Sequence, residues 1–255
     1  MTLGPKSETA VWAPALGSTM FEGFCRTFFS CYCPLTVEGQ GYLPEGPFLL
    51  CSNHCSHMDS AALMTASRRS FRHFALLGAS DYFFRSGNIR RLVAPFMNII
   101  AIDRRPGPKS LAVCLETCRR FLDATQGALI MYPEGTRSPD GEMQSLKAGA
   151  GLFAVELGVP LIPAYVEGTH HALPKGQTMP RPGRVKVRFG EAMAFATAPL
   201  ADDAFRERRR CAVEQLGERI RLLRPDPEKG QASEAVSPSL GAAKFTNRSR
   251  ASGGV

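Results

Sequence analysis

Between residues 48 and 223, short unbroken apolar runs alternate with segments of helical period. That alternation constrains the fold more than any other feature of the chain. The runs Phe48–Ser52, Phe71–Leu77, Ile99–Asp103, Ala128–Tyr132, Leu161–Val166 and Val185–Phe189 read as strands. The segments Ser60–Ser67, Ser80–Arg91, Lys109–Thr125, Ala148–Leu157 and Asp203–Leu223 read as helices. In the third of these, Leu111, Cys114, Leu115, Cys118, Phe121 and Leu122 fall on one stripe, with Lys109, Glu116, Arg119, Arg120 and Asp123 off it. Strands that are apolar on both faces need helices over both faces. The expectation is therefore a single α/β domain with a mostly parallel mixed sheet flanked by helices. Ligands of such sheets sit in loops beyond the strand ends. Pro160 and Pro163 bracket the start of the Leu161–Val166 run, which places that strand at a sheet edge.

Four segments follow from this pattern. Residues 1–17 read as loose, 18–36 as an amphipathic helical segment, 37–225 as the folded domain and 226–255 as a disordered tail with Phe245 as its one aromatic. In the second segment Met20, Phe21, Phe24, Phe28, Phe29 and Tyr32 recur near helical spacing, and Thr19 and Glu22 have the spacing of a capping box. Glu22 and Arg26 argue against a membrane span. Two readings stay open for this helix: it lies in a membrane interface, or it packs on the core.

The composition, 44% hydrophobic and 21% charged, is that of a globular chain, not a collagen-like or wholly disordered one. Its formal charge of +8 is concentrated. The stretch from Ser67 to Arg120 holds eleven Arg or Lys against three acidic residues. Such an excess points to an anionic partner: a phosphate, an acidic membrane surface or a nucleic acid. No recognised nucleic-acid-binding module accompanies it, so nucleic acid ranks last and none is expected as a partner. The eight cysteines include no CxxC pair, and the opening MTLGPKSETA has no basic-then-apolar leader. They read as reduced thiols of a cytoplasmic protein.

Four blocks carry residues able to do chemistry. The first is Asn53-His54-Cys55-Ser56-His57-Met58-Asp59, placed after one strand and opening a helix. A carboxylate five residues beyond a histidine, in the first turn of a helix, can reach back to the imidazole. It would fix the tautomer and stabilise the imidazolium while the other ring nitrogen takes a proton from an alcohol. With no protein nucleophile beside them, the attacking group would be a substrate hydroxyl. The competing readings are a helix-capping or core histidine, and a metal site of His54, His57 and Asp59 that would still need ligands from His73 or His170-His171.

The second block, Tyr132-Pro133-Glu134-Gly135-Thr136-Arg137-Ser138, follows a strand. Its Pro and Gly force an irregular turn that exposes a hydroxyl, a guanidinium and backbone N–H groups together. Arg binds phosphate through a planar fork; the bland alternative is a surface turn in which Glu134 pairs with Arg137. Lys147 adds positive charge beside this turn. The third block, Ile99-Ile100-Ala101-Ile102-Asp103-Arg104-Arg105, delivers two arginines to a strand end, with an Asp103–Arg104 surface pair as its alternative. The fourth, Val159-Pro160-Leu161-Ile162-Pro163, reads as architecture.

Taken together and in this order, the blocks resemble the glycerolipid acyltransferases, whose best-known members are lysophosphatidic acid acyltransferases. The match runs from about Val37 to about Gly190. His54 and Asp59 fall on the family's His-x4-Asp pair, Asn53 and Ser56 on positions favoured beside it, and Pro133–Ser138 on its acceptor-binding block. Arg104 falls on the arginine of the block between, and Val159-Pro160 with Pro163 on the last. Asn98 stands where glycine is frequent, Ala101 where an aromatic is, and Tyr132 where phenylalanine is usual.

The resemblance implies acyl transfer from an acyl thioester, acyl-CoA or acyl carrier protein, to the free hydroxyl of a lysophospholipid. The acceptor of first choice is 1-acylglycerol 3-phosphate, which gives phosphatidic acid. His54 would be the general base, Asp59 its orienter, and Arg104 and Arg137 the phosphate anchors, with Glu134, Gly135 and Thr136 shaping the pocket. Asn53, Ser56 and Lys147 would support. No metal and no cofactor beyond the thioester co-substrate are expected, and the enzyme would sit peripherally on the cytoplasmic face of a membrane. The alternatives are the same chemistry on glycerol 3-phosphate, another lysophospholipid or a lyso-ornithine lipid, or a non-catalytic module that binds anionic lipid.

Overall fold

Eight strands form one sheet in the order β1-β5-β4-β6-β3-β7-β8-β2. They are β1 (Ala10–Val11), β2 (Leu35–Glu38), β3 (Phe48–Ser52), β4 (Phe74–Ala79), β5 (Asn98–Ile102), β6 (Ala128–Met131), β7 (Leu161–Glu167) and β8 (Val185–Phe189). The helices are α1 (Ala15–Cys31), α2 (Asp59–Ser67), α3 (Ser80–Phe83), α4 (Pro108–Thr125), α5 (Gly149–Leu157), α6 (Thr169–Ala172) and α7 (Asp203–Leu222). The computed structural model describes residues 10–83, 95–104, 106–195 and 203–225. The expected tail and the distal part of the Ser80–Arg91 helix lie outside the described residues. The central strands β5, β4, β6, β3 and β7 are mutually parallel, β1 runs against β5 and β8 against β7, and β2 is parallel to β8.

The period of two along β3 sorts its side chains between two cores. Phe48 and Leu50 face a cluster with Cys25 and Phe29 of α1 and Leu63 of α2. Leu49 and Cys51 face the opposite cluster with Phe121 of α4, Phe153 of α5 and Ile220 of α7. Both faces are covered, which is why these strands read as continuous apolar runs. The described residues up to Arg224 form one compact unit.

Three expectations are corrected. The segment 1–17 is not loose throughout: Ala10 and Val11 are buried and pair with Ile100 and Ile99. Trp12 stacks on Phe121 with ring centroids 5.6 Å apart. Asn98 holds this arm, since its side-chain oxygen accepts from Ala13 N and its amide donates to the carbonyls of Arg72 and Phe74. A glycine there could not do so.

Helix α1 begins at Ala15 after Pro14 rather than at Ser18, and the Thr19–Glu22 capping box does not form. Glu22 instead accepts from Arg26, Ser70 and Phe71 N, tying α1 to the turn before β4.

Strand β7 is not an edge strand, because it lies between β3 and β8. Pro163 is tolerated in the sheet interior because its nitrogen side faces a break in the β8 ladder. The ladder pairing ends at Ala164–Phe189 and resumes as an isolated bridge at Leu161–Met193. The proline carbonyl still accepts from Gly190 N at 2.8 Å.

Candidate active site

The site forms where β3, β6 and β7 end. Asn53 leaves β3 and closes a two-way bond with β7, its amide donating to Val166 O (2.9 Å) and its oxygen accepting from Val166 N (2.7 Å). This fixes the origin of the loop that carries His54. Asp59 opens α2, is fully buried, and directs one oxygen at three donors. Its Oδ2 accepts from Cys55 N (2.7 Å) and Ser56 N (2.9 Å) and lies 2.8 Å from His54 Nδ1. Oδ1 has no partner. A carboxylate held this way carries its negative charge beside the imidazole in a poorly solvated spot. The His54 side chain is 18% exposed, and its Nε2 has no hydrogen-bond partner among the described residues. Ser56 donates to Leu173 O and accepts from Met58 N, which shapes the loop from below.

Tyr132 completes the seat of the imidazole. Its ring stacks on His54 with centroids 3.8 Å apart and planes 10° from parallel. Its hydroxyl lies 2.7 Å from Ser60 Oγ on α2. Burial first, then the Asp59 charge, holds this phenol well above its ordinary range, so it stays protonated. The hydrogen bond to Asp59 and the ring stack restrain the imidazole in two directions. The sequence places Tyr132 beside the Pro-Glu-Gly turn but carries no sign of the stack, which joins residues 78 positions apart.

Glu134 is 2% exposed and turned inward. Its two oxygens accept from His54 N (2.8 Å) and Gln144 N (2.9 Å). Its contribution to the pocket is to hold two loops together, and it does not pair with Arg137. Ser138 N donates to His54 O at 2.7 Å, so the histidine loop and the 133–138 turn are locked from both sides. Burial pushes the Glu134 carboxyl above its usual value, opposed by those two amides. Gly135 adopts φ +71°, and a Cβ there would come within 2.6 Å of Lys147 Nζ; the lysine folds over the bare backbone.

The cations gather at this turn. Arg104 donates to both oxygens of Asp81 and, at 2.8 Å, to Gly135 O. It is therefore bound to the turn, and the Asp103–Arg104 surface pair does not form; Asp103 accepts from Ser80 instead. Arg137 is half-buried, and no acidic side chain pairs with it among the described residues. Desolvation, then the charge of Arg137 and the proximity of His54, press His57 toward its neutral form, which puts all three in one neighbourhood. Thr136 is exposed at the tip of the turn. Lys175, which sequence reasoning missed, donates to Arg137 O at 3.4 Å. No sequence signal marks it, since it stands 38 residues further on.

The metal arrangement considered for His54, His57 and Asp59 is not assembled. Among the described residues no three His, Cys, Asp or Glu side chains are grouped to hold an ion. Cys55 is no nucleophile either: it is buried, and desolvation pushes its thiol up to about 12.

The geometry is therefore an oriented imidazole with one free nitrogen, beside a turn rich in cations. Comparison with known proteins meets it there. The family model described as "Acyltransferase" matches residues 34–167. The 1-acyl-sn-glycerol-3-phosphate acyltransferase of Chlamydomonas reinhardtii is 30% identical over 180 residues, 68% of this chain and 52% of that one. A mouse enzyme named 1-acyl-sn-glycerol-3-phosphate acyltransferase alpha is 30% identical over 162 residues, 60% of this chain and 53% of its own. The chain thus spans about half the length of the curated relatives it matches. The crystal structure of the 1-acyl-sn-glycerophosphate acyltransferase PlsC from Thermotoga maritima superposes with a TM-score of 0.57 at 26% identity. That match covers 84% of this chain and 79% of that one.

Proposed function

Because the chain belongs to the acyltransferase family, we propose that it moves a fatty acyl group from an acyl thioester to the free hydroxyl of a lysophospholipid. The acceptor is 1-acyl-sn-glycerol 3-phosphate and the product phosphatidic acid. The observation that carries this reading is the 2.8 Å contact of His54 Nδ1 with Asp59 Oδ2, which leaves Nε2 free beside the 133–138 turn.

In the reaction His54 Nε2 takes the proton of the acceptor hydroxyl as its oxygen forms a bond to the thioester carbonyl carbon. The carbonyl oxygen becomes an oxyanion. It collapses as the carbon–sulfur bond breaks, and the imidazolium returns the proton to the departing thiolate of coenzyme A or acyl carrier protein. Asp59 holds Nδ1 protonated and stabilises the imidazolium between the two transfers. The acceptor's phosphate binds Arg137 and Lys147, with Arg104 bracing the turn from behind. Positioning supplies much of the rate, since both reactants are held against one base.

A phosphate monoester suits this cluster better than a zwitterionic or amide-linked headgroup. A panel of acceptors decides it: thiol release should depend on acceptor and be fastest with lysophosphatidate. Release that ignores the acceptor would remove the transferase reading.

Acceptor and product are membrane lipids, so the enzyme must meet a bilayer. Among the described residues no helix is long and apolar enough to cross a membrane. Helix α1 has two apolar faces. Cys25 and Phe29 enter the core, while Leu16, Met20, Phe24 and Tyr32 recur every four or eight residues and are 74, 65, 63 and 43% exposed. Half-buried Phe28 fills the gap in that row. One face packs on the core; we propose that the other meets lipid as a peripheral contact, which would combine the two readings of this helix. Burying Leu16, Met20 and Phe24 would yield roughly 4–9 kcal/mol before costs.

A further inference from the structure

The residues between α6 and β8 join two places that are distant in the sequence. At the near end Leu173 O accepts from Ser56 Oγ at 2.8 Å, beside the imidazole. One turn later Lys175 Nζ reaches Arg137 O. At the far end Pro180 O accepts from Tyr32 Oη at 3.1 Å and Arg181 O from Cys33 Sγ at 3.5 Å, at the C-terminal end of the exposed row on α1. The stretch 173–184 contains Lys175, Arg181 and Arg184 and no acidic residue. These three side chains are exposed, and so is Met179, at 77%, more than any other large apolar residue described.

We propose that the 173–184 loop is a second membrane contact. Met179 enters the acyl region of an anionic bilayer, Arg181 and Arg184 sit among its headgroups, and Lys175 continues the cationic track inward to Arg137. The proposal rests on the acyltransferase reading and extends it: the loop is the route by which a lysolipid leaves the bilayer. One exposed methionine needs no explanation by itself. Its position does, because the loop prolongs the apolar row of α1 at the end nearest the site. The charge of the loop complements both the lipid surface and an anionic acceptor.

Flotation with vesicles of phosphatidylcholine, with and without phosphatidic acid, tests this alongside turnover of two acceptors. One acceptor is vesicle-borne long-chain lysophosphatidate, and the other is monomeric hexanoyl-glycerol phosphate. Met179→Asp should weaken vesicle binding about tenfold and lower kcat/KM on the vesicle-borne acceptor equally. Turnover of the monomeric acceptor should stay within twofold of the parent. Arg181→Glu with Arg184→Glu should erase the preference for vesicles that contain phosphatidic acid.

Phe24→Asp on α1 separates the two membrane claims. If it lowers binding while Met179→Asp does not, the loop proposal falls and the peripheral reading of α1 stands. If neither lowers binding, both fall. Loss of turnover on the monomeric acceptor in Met179→Asp would assign the loop to the site itself and overturn the proposal. If lysophosphatidate is not acylated at all, the acyltransferase reading fails, whatever the vesicles show.

Discussion

Replacing Asp59 separates the charge of the orienting group from its hydrogen bonds. All three donors, His54 Nδ1, Cys55 N and Ser56 N, converge on Oδ2, and Oδ1 has no partner. In Asp59→Asn the amide oxygen can therefore stand where Oδ2 stands and the amide nitrogen where Oδ1 stands. Every existing donor keeps its acceptor; the charge is lost, and one buried amide donor is added at the Oδ1 position. Two unit charges about 4 Å apart at an effective dielectric of about 20 attract by roughly 4 kcal/mol. Loss of that attraction to the imidazolium should lower kcat by about 10²–10³, at 1.36 kcal/mol per decade. The buried amide donor left unpaired costs about 1–3 kcal/mol of stability.

Asp59→Ala removes the charge and also strands the buried N–H groups of Cys55 and Ser56. Together these cost about 2–6 kcal/mol, a fall of roughly 5–20 °C in Tm for a chain of this size. Acceptor-dependent thiol release gives kcat, and circular dichroism gives Tm. Turnover of Asp59→Asn within threefold of the parent, or an Asp59→Ala protein that melts no lower than Asp59→Asn, would refute the assignment of these bonds.

Three further outcomes follow from the site. Tyr132→Phe keeps the stack on His54 and loses the bond to Ser60, so kcat should hold within about threefold and stability should fall by about 1 kcal/mol; Tyr132→Leu removes the stack, and kcat should fall about tenfold with the acceptor KM unchanged. Arg137→Ala deletes charge-assisted bonds to the phosphate worth about 1.5–3 kcal/mol, so steady-state kinetics should show the acceptor KM rising roughly 10- to 100-fold, while the donor KM stays put. Iodoacetamide followed by mass spectrometry should label Cys31 and Cys211 alone in the folded protein with no loss of activity, since the other six thiols are buried and burial pushes Cys25 and Cys55 up to about 12. Labelling of Cys55 with inactivation would point to a thiol in the mechanism.

What the sequence makes legible depends on whether a signal is local. The runs around Leu50, Ile130 and Ile162 declare buried parallel strands because both neighbouring layers demand apolar side chains. Strand β8 is recovered with its bounds unchanged at Val185–Phe189. The arm Ala10–Trp12 is invisible, since its order comes from pairing with Ile100 and stacking on Phe121, about ninety and a hundred and ten residues away. Pro163 misleads for the same reason: only the break after Phe189 makes its missing N–H harmless.

In the site, His54, Asp59 and the 133–138 turn are readable because family motifs and local chemistry coincide there. The sequence puts Glu134 in the pocket-shaping turn but not its manner of acting as a buried clamp, because its partners His54 N and Gln144 N are backbone groups that leave no mark on composition. Tyr132 and Lys175 depend on contacts across the sheet, which no window along the chain can show.

The central claim is that the free nitrogen of His54 removes the acceptor's proton. Measuring acceptor-dependent thiol release in His54→Ala, with circular dichroism to verify the fold, tests it most directly. The account predicts a loss of at least about 10³ in kcat with an unchanged spectrum, the scale on which a general base contributes. A His54→Ala protein that is folded and still transfers acyl groups within tenfold of the parent would contradict it.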